Sequence, residues 1–283
     1  MKRLLQTRNY GFTYAESLVE SPVLWDSHCH ARYEMIAVLE GDITVMSEGR
    51  SHRLTEGCIL MIPPLCYHTV TANKSGGYKR VTVLFDITAV PLPLREAFRT
   101  ADGNPPLLTS AIPADMRICL QEDSPTLYEP LLESLMIPLF YQRLQAPADG
   151  DGEVEADDFI LKIVEYVDRH LEEKIRLADL ARHTARSASF VAHRFEEGMG
   201  ISPGQYILRK KMAYAQKLIR EGSPATLVAV RIGYRNYGTF YRLYRKHFGI
   251  KPSDTGLEEA DRPRNVPDGS LPRPPADTEP LLP

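Results

Sequence analysis

The amino-acid sequence predicts an α+β protein of two domains, in which a β-barrel or double sheet precedes an all-α domain. Residues 10–90 contain many short strand-like segments separated by turns, whereas every segment from Asp157 onward has helical periodicity. Between them lies a polar segment rich in glycine and proline, which is typical of a linker. We therefore expect a first domain at 1–145, a linker at 146–156, a helical domain at 157–256 and a disordered proline-rich tail at 257–283.

The strands of the first domain are predicted from apolar runs and the turn residues between them. The apolar runs at 34–39 and 43–46 are separated by a short turn that contains Gly41. The run at 58–62 ends at two prolines, and apolar residues alternate with polar ones along 78–86. Many short strands at close spacing favour a barrel or a double sheet.

One helical segment is predicted inside the first domain, at residues 128–144. Its apolar residues form pairs that repeat every four positions, which places them on one face of a helix. Such a face packs either into the core or against a second copy of the chain, and we expect a dimerisation segment that is kinked at Pro138. The pairs are Leu131/Leu132, Leu135/Met136 and Leu139/Phe140.

The composition argues against a membrane or secreted protein. The apolar runs are far shorter than the roughly 20 residues that span a bilayer, and the first residues lack the apolar segment of a signal peptide. The four cysteines form no CxxC pair, which argues for reduced thiols and against a zinc knuckle or a disulfide framework. We therefore expect a cytoplasmic protein with no membrane partner.

Charge is distributed unevenly along the chain. The net charge is −8 over residues 1–157 and +8 over residues 158–256. A basic block of about 100 residues inside an acidic chain indicates a polyanionic partner for that block. The alternative is a basic surface that faces only solvent.

The basic block contains an internal repeat with an offset of 49 residues. Val191 aligns with Phe240, and Gly200 aligns with Gly249. Each copy is predicted to be a short helix, a tight turn and a second helix, which is the helix-turn-helix arrangement. A long helix that begins after the N-cap Ser202 should join the copies. Two second helices held at a fixed spacing can enter successive major grooves of DNA, about 34 Å apart.

The basic block resembles the DNA-binding domain of the AraC/XylS family of bacterial transcription regulators. The resemblance rests above all on a highly specific pattern of 20 residues from Gly233-Tyr234 to Lys251-Pro252. It is also supported by Leu180-Ala181, the Phe190–Phe195 segment and Gly200-Ile201-Ser202-Pro203. It covers residues 158–255 strongly and the first domain more loosely. It implies a transcription regulator, more often an activator, that is a homodimer and contacts double-stranded DNA and RNA polymerase. It also implies control by a small-molecule effector, such as a sugar, bound in the barrel.

The resemblance also implies which residues contact DNA. In the second unit Arg242 is the best candidate for base recognition, because a guanidinium can hold guanine O6 and N7 together. Arg245 and Lys246, with Arg235, should hold phosphates. The other outward residues that should reach base edges are Ser189, Ala192 and His193 in the first unit and Asn236, Tyr237 and Tyr241 in the second.

The sequence departs from the family pattern at three places. Glu196-Glu197 stands where the family carries a basic pair, so we expect the first unit to bind DNA more weakly than the second. Leu227 stands where the family favours an acidic residue, and Thr255-Gly256 where it favours an aromatic residue and arginine.

A second candidate site lies in the first domain. His28, His30 and Glu34 share one face if they lie on one strand, and His68 can join them from a neighbouring strand. This is similar to the cupin motifs, in which three histidines and one glutamate hold a divalent metal such as Mn, Fe, Ni or Zn. The same side chains can instead line an effector pocket or be structural. The further candidates for effector binding are Arg32, Tyr33 and Trp25.

The sequence therefore predicts a ligand-responsive regulator with a cupin-like sensor and dimerisation domain and a DNA-binding domain of two helix-turn-helix units. We expect no enzymatic activity and no required cofactor, apart from the candidate divalent metal in the barrel. The rival hypothesis is a cupin-type metalloenzyme, an isomerase or dioxygenase, with a helical appendage. That hypothesis leaves the 49-residue repeat unexplained.

Overall fold

The computed structural model describes most of both domains. Trp25, the linker residues 146–154 and the tail at 257–283 lie outside the described residues, so the predictions for them stay predictions. The described residues are 2–6, 10–19, 27–98, 107–109, 130, 133, 134, 136–139, 141 and 155–255.

The first domain consists of two antiparallel sheets. The larger sheet has the strand order β1-β2-β8-β3-β6-β9 and the smaller one β10-β5-β4-β7, so the predicted barrel takes the form of a double sheet. The strands are β1 Lys2–Gln6, β2 Tyr10–Val19, β3 Tyr33–Glu40, β4 Asp42–Ser47, β5 Arg50–Thr55, β6 Ile59–Ile62, β7 His68–Ala72, β8 Gly76–Phe85, β9 Leu107–Thr109 and β10 Glu155–Ala156.

Both faces of the larger sheet are buried around its strand β3. On one face Ile36 and Val38 pack with Ile43 and Val45 of the smaller sheet, and this cluster holds the two sheets together. On the other face residues such as Met35 form a second cluster. Because side chains alternate along a strand, a strand that is covered on both faces has an almost continuous apolar sequence, as residues 34–39 do.

The described part of the predicted helical segment packs onto this second face. Met136 and Leu139 are buried in the cluster of the larger sheet, so these two stripe residues belong to the core of their own chain. Ile137 and Tyr141 are exposed on the same segment, at 45% and 55%. Pro138 lies within the helical residues. The prediction of a dimer seam therefore does not apply to Leu139, and Leu131, Leu132, Leu135 and Phe140 lie outside the described residues.

The second domain is entirely helical, as predicted. Its last element is a short 3₁₀ helix at Pro252–Asp254. The described helices are α1 Asp158–Arg169, α2 Leu177–Thr184, α3 Ala188–Met199, α4 Pro203–Arg220, α5 Ala225–Arg231 and α6 Tyr237–Phe248. No helix among the described residues is sufficiently long and apolar to cross a bilayer.

The 49-residue repeat corresponds to two helix-turn-helix units, α2-α3 and α5-α6. Both turns use a residue in the left-handed region, with φ of 53° at Ala185 and 93° at Gly233. In the first turn the amide of Arg186 donates to the carbonyl of Ala181. In the second turn the amide of Tyr234 donates to the carbonyl of Ala229 in the same way. The equivalence of the two turns confirms the interpretation of the repeat.

Helix α4 joins the two units and contributes to both of their cores. Ile207 packs in the core of the first unit, and Met212 and Leu218 pack in the core of the second. Its start is the predicted one, since Ser202 accepts a hydrogen bond from the amide of Gln205. Eighteen helical residues extend over about 27 Å, which fixes the spacing of the units.

The helical domain is attached to the smaller sheet. The last two residues of the predicted linker are strand β10, which pairs with β5. The amide of Asp157 then donates to the carbonyl of Gly49, and the Asp157 side chain caps α1. Gly49 has φ of 81°, and a Cβ there would lie 2.8 Å from Ile160. The β4–β5 turn therefore needs glycine where it meets α1.

Candidate functional sites

Helix α3 presents part of the predicted DNA-binding surface. Ser187 caps the helix by accepting from the amide of Phe190, and Val191 and Phe195 are buried in the core. This spacing leaves the other side of α3 outward. Ser189 and His193 are exposed there and Ala192 is half-buried, as the sequence predicts.

Phe190 is a member of this surface that the sequence analysis did not assign to DNA binding. Its side chain is 44% exposed, because Val191 takes the core position beside it. The ring packs edge-on against Phe159, and the guanidinium of Arg186 lies 5.4 Å from its centroid. An exposed aromatic ring held in this way can contact bases or sugars in a groove.

Helix α6 presents the more basic surface. Phe240 and Tyr244 are buried, which turns the opposite side of the helix outward. Arg242, Arg245 and Lys246 are all exposed there. Tyr237 and Arg235 are also exposed, and Tyr241 is half-buried.

Asn236 has a role that the sequence analysis did not assign. Its Oδ1 accepts a hydrogen bond from the amide of Thr239 at 3.3 Å, so Asn236 is the N-cap of α6. Such a cap uses the acceptor oxygen of the carboxamide and leaves its NH₂ group to act as a donor. The cap therefore fixes the orientation in which Asn236 can present its carboxamide to a base.

The first domain brings together all four residues of the predicted histidine and glutamate cluster. The candidate ligand atoms of His28, His30, Glu34 and His68 lie within 4.8 Å of one another. Oε2 of Glu34 is 2.8 Å from Nε2 of His30, 3.0 Å from Nε2 of His68 and 3.9 Å from Nε2 of His28. The first three of these residues do not lie on one strand, because a bend follows His30 and β3 begins only at Tyr33.

Backbone contacts fix the orientation of two of the rings. Nδ1 of His30 lies 2.8 Å from the carbonyl oxygen of Arg32, and Nδ1 of His68 lies 3.0 Å from that of Cys66. A carbonyl oxygen only accepts, so both Nδ1 atoms are the donors. The lone-pair nitrogen of each neutral ring is then Nε2, which points at Glu34.

Glu34 is held as a carboxylate. Burial opposes its ionisation, but when Nε2 of His30 and of His68 carries a proton, the hydrogen bonds and positive charges of these rings outweigh burial and hold the pKa of Glu34 well below its usual value. The cluster therefore presents one carboxylate oxygen and three imidazole nitrogens to a common point.

The other predicted effector residues are dispersed. The guanidinium of Arg32 is buried and pairs with Asp86, with Nε 3.3 Å from Oδ2, and Arg220 of α4 pairs with the same carboxylate. Tyr33 stacks on Phe85 at 5.3 Å between centroids and packs against the other face of the larger sheet. The structure therefore does not bring Tyr33 to the cluster.

The contact between the two domains is a feature that sequence reasoning missed. Lys210, in the middle of α4, is buried and donates to Glu48 of the β4–β5 turn at 2.6 Å. Its ammonium also lies 2.7 Å from Asp168 of α1. Glu48 accepts further hydrogen bonds from Tyr206 and from the amide of Tyr67. The signal was present in the sequence, since Lys210 lies on the apolar side of α4 where a charge needs a buried partner.

Arg209 adds a second set of bonds to this contact. Its Nη1 donates to the carbonyl of Ser27 and, at 3.0 Å, to the hydroxyl of Tyr67. Cys29 packs with Tyr67 in the core of the first helix-turn-helix unit, and burial raises the pKa of its thiol to about 12. The segment that carries His28 and His30 therefore lies directly against α4.

The same division of the chain emerges from comparison with known protein families. A family model described as an AraC-like ligand binding domain matches residues 21–138, and one described as a helix-turn-helix domain matches residues 180–256.

Related proteins include regulators from several bacteria. The uncharacterized HTH-type transcriptional regulator YdiP of Escherichia coli is 30% identical over 118 residues, which are 41% of this chain and 39% of YdiP. The HTH-type regulator YobQ of Bacillus subtilis is 25% identical over 81% of this chain and 88% of its own length. The probable transcriptional regulator LumQ of Photobacterium leiognathi is 33% identical over 36% of this chain. This chain therefore matches only about two fifths of the length of these two relatives, 39% of YdiP and 42% of LumQ.

Two solved structures illustrate the similarity. The crystal structure of ToxT from Vibrio cholerae with a bound unsaturated fatty acid covers 92% of this chain and 98% of its own, at 12% identity and a TM-score of 0.41. A probable AraC family regulator from Rhodopseudomonas palustris covers 35% of this chain and 94% of its own, at 28% identity and a TM-score of 0.32.

An AraC-like ligand binding domain is thus followed by a helix-turn-helix domain in one chain, and the relatives described above are named as transcriptional regulators. None of these names supports the rival hypothesis of a metalloenzyme. The chain belongs to the AraC family of transcription regulators.

Proposed function

We propose that this regulator binds specific DNA sites through α3 and α6, and that a small molecule in the first domain controls this binding. The observation that carries the proposal is the position of α4, which joins the two DNA-binding units and is also packed against the sensor domain through Lys210 and Arg209. We further propose that the protein acts in the cytoplasm, as an activator and not as an enzyme.

Base recognition and phosphate binding should reside on different residues. Arg242 is exposed on the outward side of α6 and can hold guanine bidentately, which discriminates by roughly 1–3 kcal/mol. Arg245 and Lys246 can bind phosphates, which adds affinity and salt dependence without sequence preference. Ser189 and His193 would read bases from α3.

The effector would act through the contact between the domains. A ligand shifts an equilibrium only if it binds one arrangement more tightly than the other. The sensor contacts α4 through Glu48, Ser27 and Tyr67, so a ligand that moves these residues changes how firmly the two units are held. We propose a small polar effector, such as a sugar, as this ligand.

Assembly and contact with RNA polymerase complete the proposed function. A second copy of the chain can pack against the exposed Ile137 and Tyr141, which lie one helical turn apart on the segment after the sheets. Two copies would place two pairs of helix-turn-helix units on one DNA site, and RNA polymerase would be the partner of the bound dimer.

The test is DNA binding by the full-length protein, measured by fluorescence anisotropy with duplexes from the region upstream of its own gene. We expect tight binding to one site and affinity that falls steeply with salt. Arg242→Ala should weaken binding to that site by roughly 1–3 kcal/mol and leave unrelated duplexes almost unaffected.

Arg169→Ala is the matched control, because Arg169 is an exposed arginine of α1 that pairs with Glu165 and lies off both recognition helices. It should change neither affinity. Absence of binding to any duplex at low salt would overturn the proposed function. Equal weakening of specific and unrelated DNA by Arg242→Ala would make Arg242 a phosphate ligand.

A further inference from the structure

We propose that His28, His30, Glu34 and His68 bind one divalent first-row transition-metal ion, and that the bound ion stiffens the contact of the sensor domain with α4. The metal site is inferred from its geometry alone, whereas a role for the ion in regulation rests on the proposed function.

The donor atoms have the separations that one ion requires. Bonds of 2.0–2.1 Å from zinc to nitrogen or oxygen place neighbouring ligand atoms about 3.0 to 3.4 Å apart, for octahedral and tetrahedral angles respectively. The three nitrogens lie 2.8, 3.0 and 3.9 Å from Oε2 of Glu34, and all four donors fall within 4.8 Å. An ion at their centre therefore needs only small side-chain rotations.

The orientation of the rings indicates a cation at this point. Nδ1 of His30 and Nδ1 of His68 donate to backbone carbonyls, which is the arrangement that orients metal-ligating histidines. Nε2 of His68 is buried and lies 3.0 Å from the Glu34 carboxylate, yet it makes no hydrogen bond within the described part of the chain. When His68 is neutral, the lone pair of this Nε2 faces a carboxylate oxygen and is repelled by it, and a metal ion between the two atoms attracts both.

The site has a protected side and an open side. The side chains of His30, Glu34 and His68 are no more than 11% exposed, whereas that of His28 is 36% exposed. An ion can therefore enter past His28 and can keep a coordination position for a water molecule or a small ligand. Three imidazoles and one carboxylate suit Zn²⁺, Fe²⁺, Ni²⁺ or Mn²⁺.

The link to α4 follows from alternation along the backbone. His28 and His68 face each other across an antiparallel bridge, with both backbone hydrogen bonds at 2.9 Å. Their neighbours Cys29 and Tyr67 point to the opposite side, into the core of the first helix-turn-helix unit. The residues that hold the ion and the residues that contact α4 therefore alternate along the same two segments.

Arg209 makes this link specific. It donates to the carbonyl of Ser27, next to His28, and to the hydroxyl of Tyr67, next to His68. An ion that holds His28 and His68 together also fixes the two acceptors of Arg209 at their present separation. Loss of the ion allows the two segments to separate. The first turns of α4, which are bound to both segments through Arg209, then also become more mobile.

The first experiment measures metal binding by the full chain after dialysis against a chelator. Calorimetry with Zn²⁺, and the visible absorption of Co²⁺ as a second probe, should both give one ion per chain. Glu34→Gln and His68→Gln should weaken Zn²⁺ binding by more than about 100-fold. His183→Gln, at an exposed histidine of α2 outside the cluster, should bind Zn²⁺ as the wild type does.

Circular dichroism confirms that each variant is folded, and the conservative Glu34→Gln keeps the test valid if His68→Gln is unstable. No binding by the wild type, or equal binding by wild type and Glu34→Gln, would overturn the metal site.

The second experiment measures amide hydrogen exchange of residues 203–212 with and without Zn²⁺, and so does not depend on DNA. We expect slower exchange in the first turns of α4 when Zn²⁺ is bound. Tyr67→Phe, which removes one acceptor of Arg209, should reduce this protection while one ion per chain still binds. Bound Zn²⁺ with unchanged exchange in α4 would overturn the coupling, whereas failure to bind DNA would overturn the proposed function alone.

Discussion

Replacement of Lys210 by methionine should destabilise the protein more than any other single change at the contact between its domains. Lys210 is 1% exposed and shares its ammonium between Glu48 at 2.6 Å and Asp168 at 2.7 Å. Burial alone would lower its pKa, but the two carboxylates outweigh burial and raise the pKa above its usual value. The side chain is therefore a cation at any pH at which the protein is folded.

The magnitude follows from what Lys210→Met leaves behind. Removing one partner of a buried ion pair costs about 3–5 kcal/mol, because the other charge stays buried and uncompensated. The Glu48 side chain is only 12% exposed, but it keeps hydrogen bonds from Tyr206 and from the amide of Tyr67. Asp168 is 38% exposed and can be hydrated. We therefore expect a loss near the lower limit, about 3 kcal/mol.

The assay is urea unfolding at pH 7.5, followed by circular dichroism, with Lys162→Met as the control for loss of an exposed lysine of α1. The double variant Glu48→Gln with Lys210→Met should lose less stability than the sum of the two single changes, because each removes the interaction that the other needs. A loss below about 1 kcal/mol, or single effects that simply add, would refute a coupled buried pair.

Four further predictions concern other parts of the chain. Gly233→Ala should destabilise by about 1–2 kcal/mol in thermal unfolding through backbone strain alone, since no atom lies closer than 3.8 Å to the new Cβ. Ala185→Gly, at the equivalent turn, should change stability by less than about 1 kcal/mol, because relief of strain is offset by the entropy of the unfolded glycine. Burial, with Arg50 nearby, lowers the pKa of His52 to about 4, so its stabilising contribution is complete above pH 6.5 and is lost as the pH falls towards 4. Between pH 7.5 and 5 the wild type should therefore lose about 2 kcal/mol more than His52→Gln in urea unfolding, and equal losses would contradict the assignment. Glu196→Lys combined with Glu197→Lys, at two exposed positions of α3, should strengthen binding to all duplexes and steepen its salt dependence. Anisotropy titrations identical to those of the wild type would show that α3 does not contact DNA.

The helical domain was predictable because its determinants are local. Ser187 and Ser202 cap the helices that the sequence places after them, and Phe195 and Tyr244 occupy equivalent buried positions of the two units. The exception is Asn236, which the sequence presents equally well as a polar residue of the recognition surface or as a cap. Only the point at which α6 begins distinguishes these roles.

The four residues of the histidine cluster do lie close together, but the geometric premise from which their proximity was predicted is wrong. Alternation along one strand was expected to bring His28, His30 and Glu34 to a common face. In the structure the chain bends after His30, and the hydrogen bond from His30 to the carbonyl of Arg32 holds that bend. The pattern of residue types carried the prediction, whereas the local backbone path depends on the pairing of residue 28 with residue 68.

The sequence signals that Lys210 needs a buried partner, but it does not identify that partner, because Glu48 is distant in sequence. Glu48 and Lys210 are 162 positions apart, and a lysine in a basic helix is ordinarily expected to face solvent. The apolar stripe at 128–144 illustrates the same difficulty, since its periodicity is the same for a core face and for a dimer seam. The buried Met136 and Leu139 assign these positions to the core, so a dimer must use other residues.

The position of α4 explains why a signal in the first domain can reach both DNA-binding units. Its N-terminal half holds the sensor through Arg209 and Lys210, and Arg220 at its last turn pairs with Asp86 at the end of β8. Between these two attachments Lys211 donates to the backbone carbonyls of Leu171, which packs in the core of the first unit, and of Ile232, which lies in the second unit. A shift of the sensor at either end of α4 must therefore deform the connection between the units or break a buried charge contact. Breaking a buried charge contact costs several kcal/mol. A change in the relative position of the two recognition helices is therefore the less costly response.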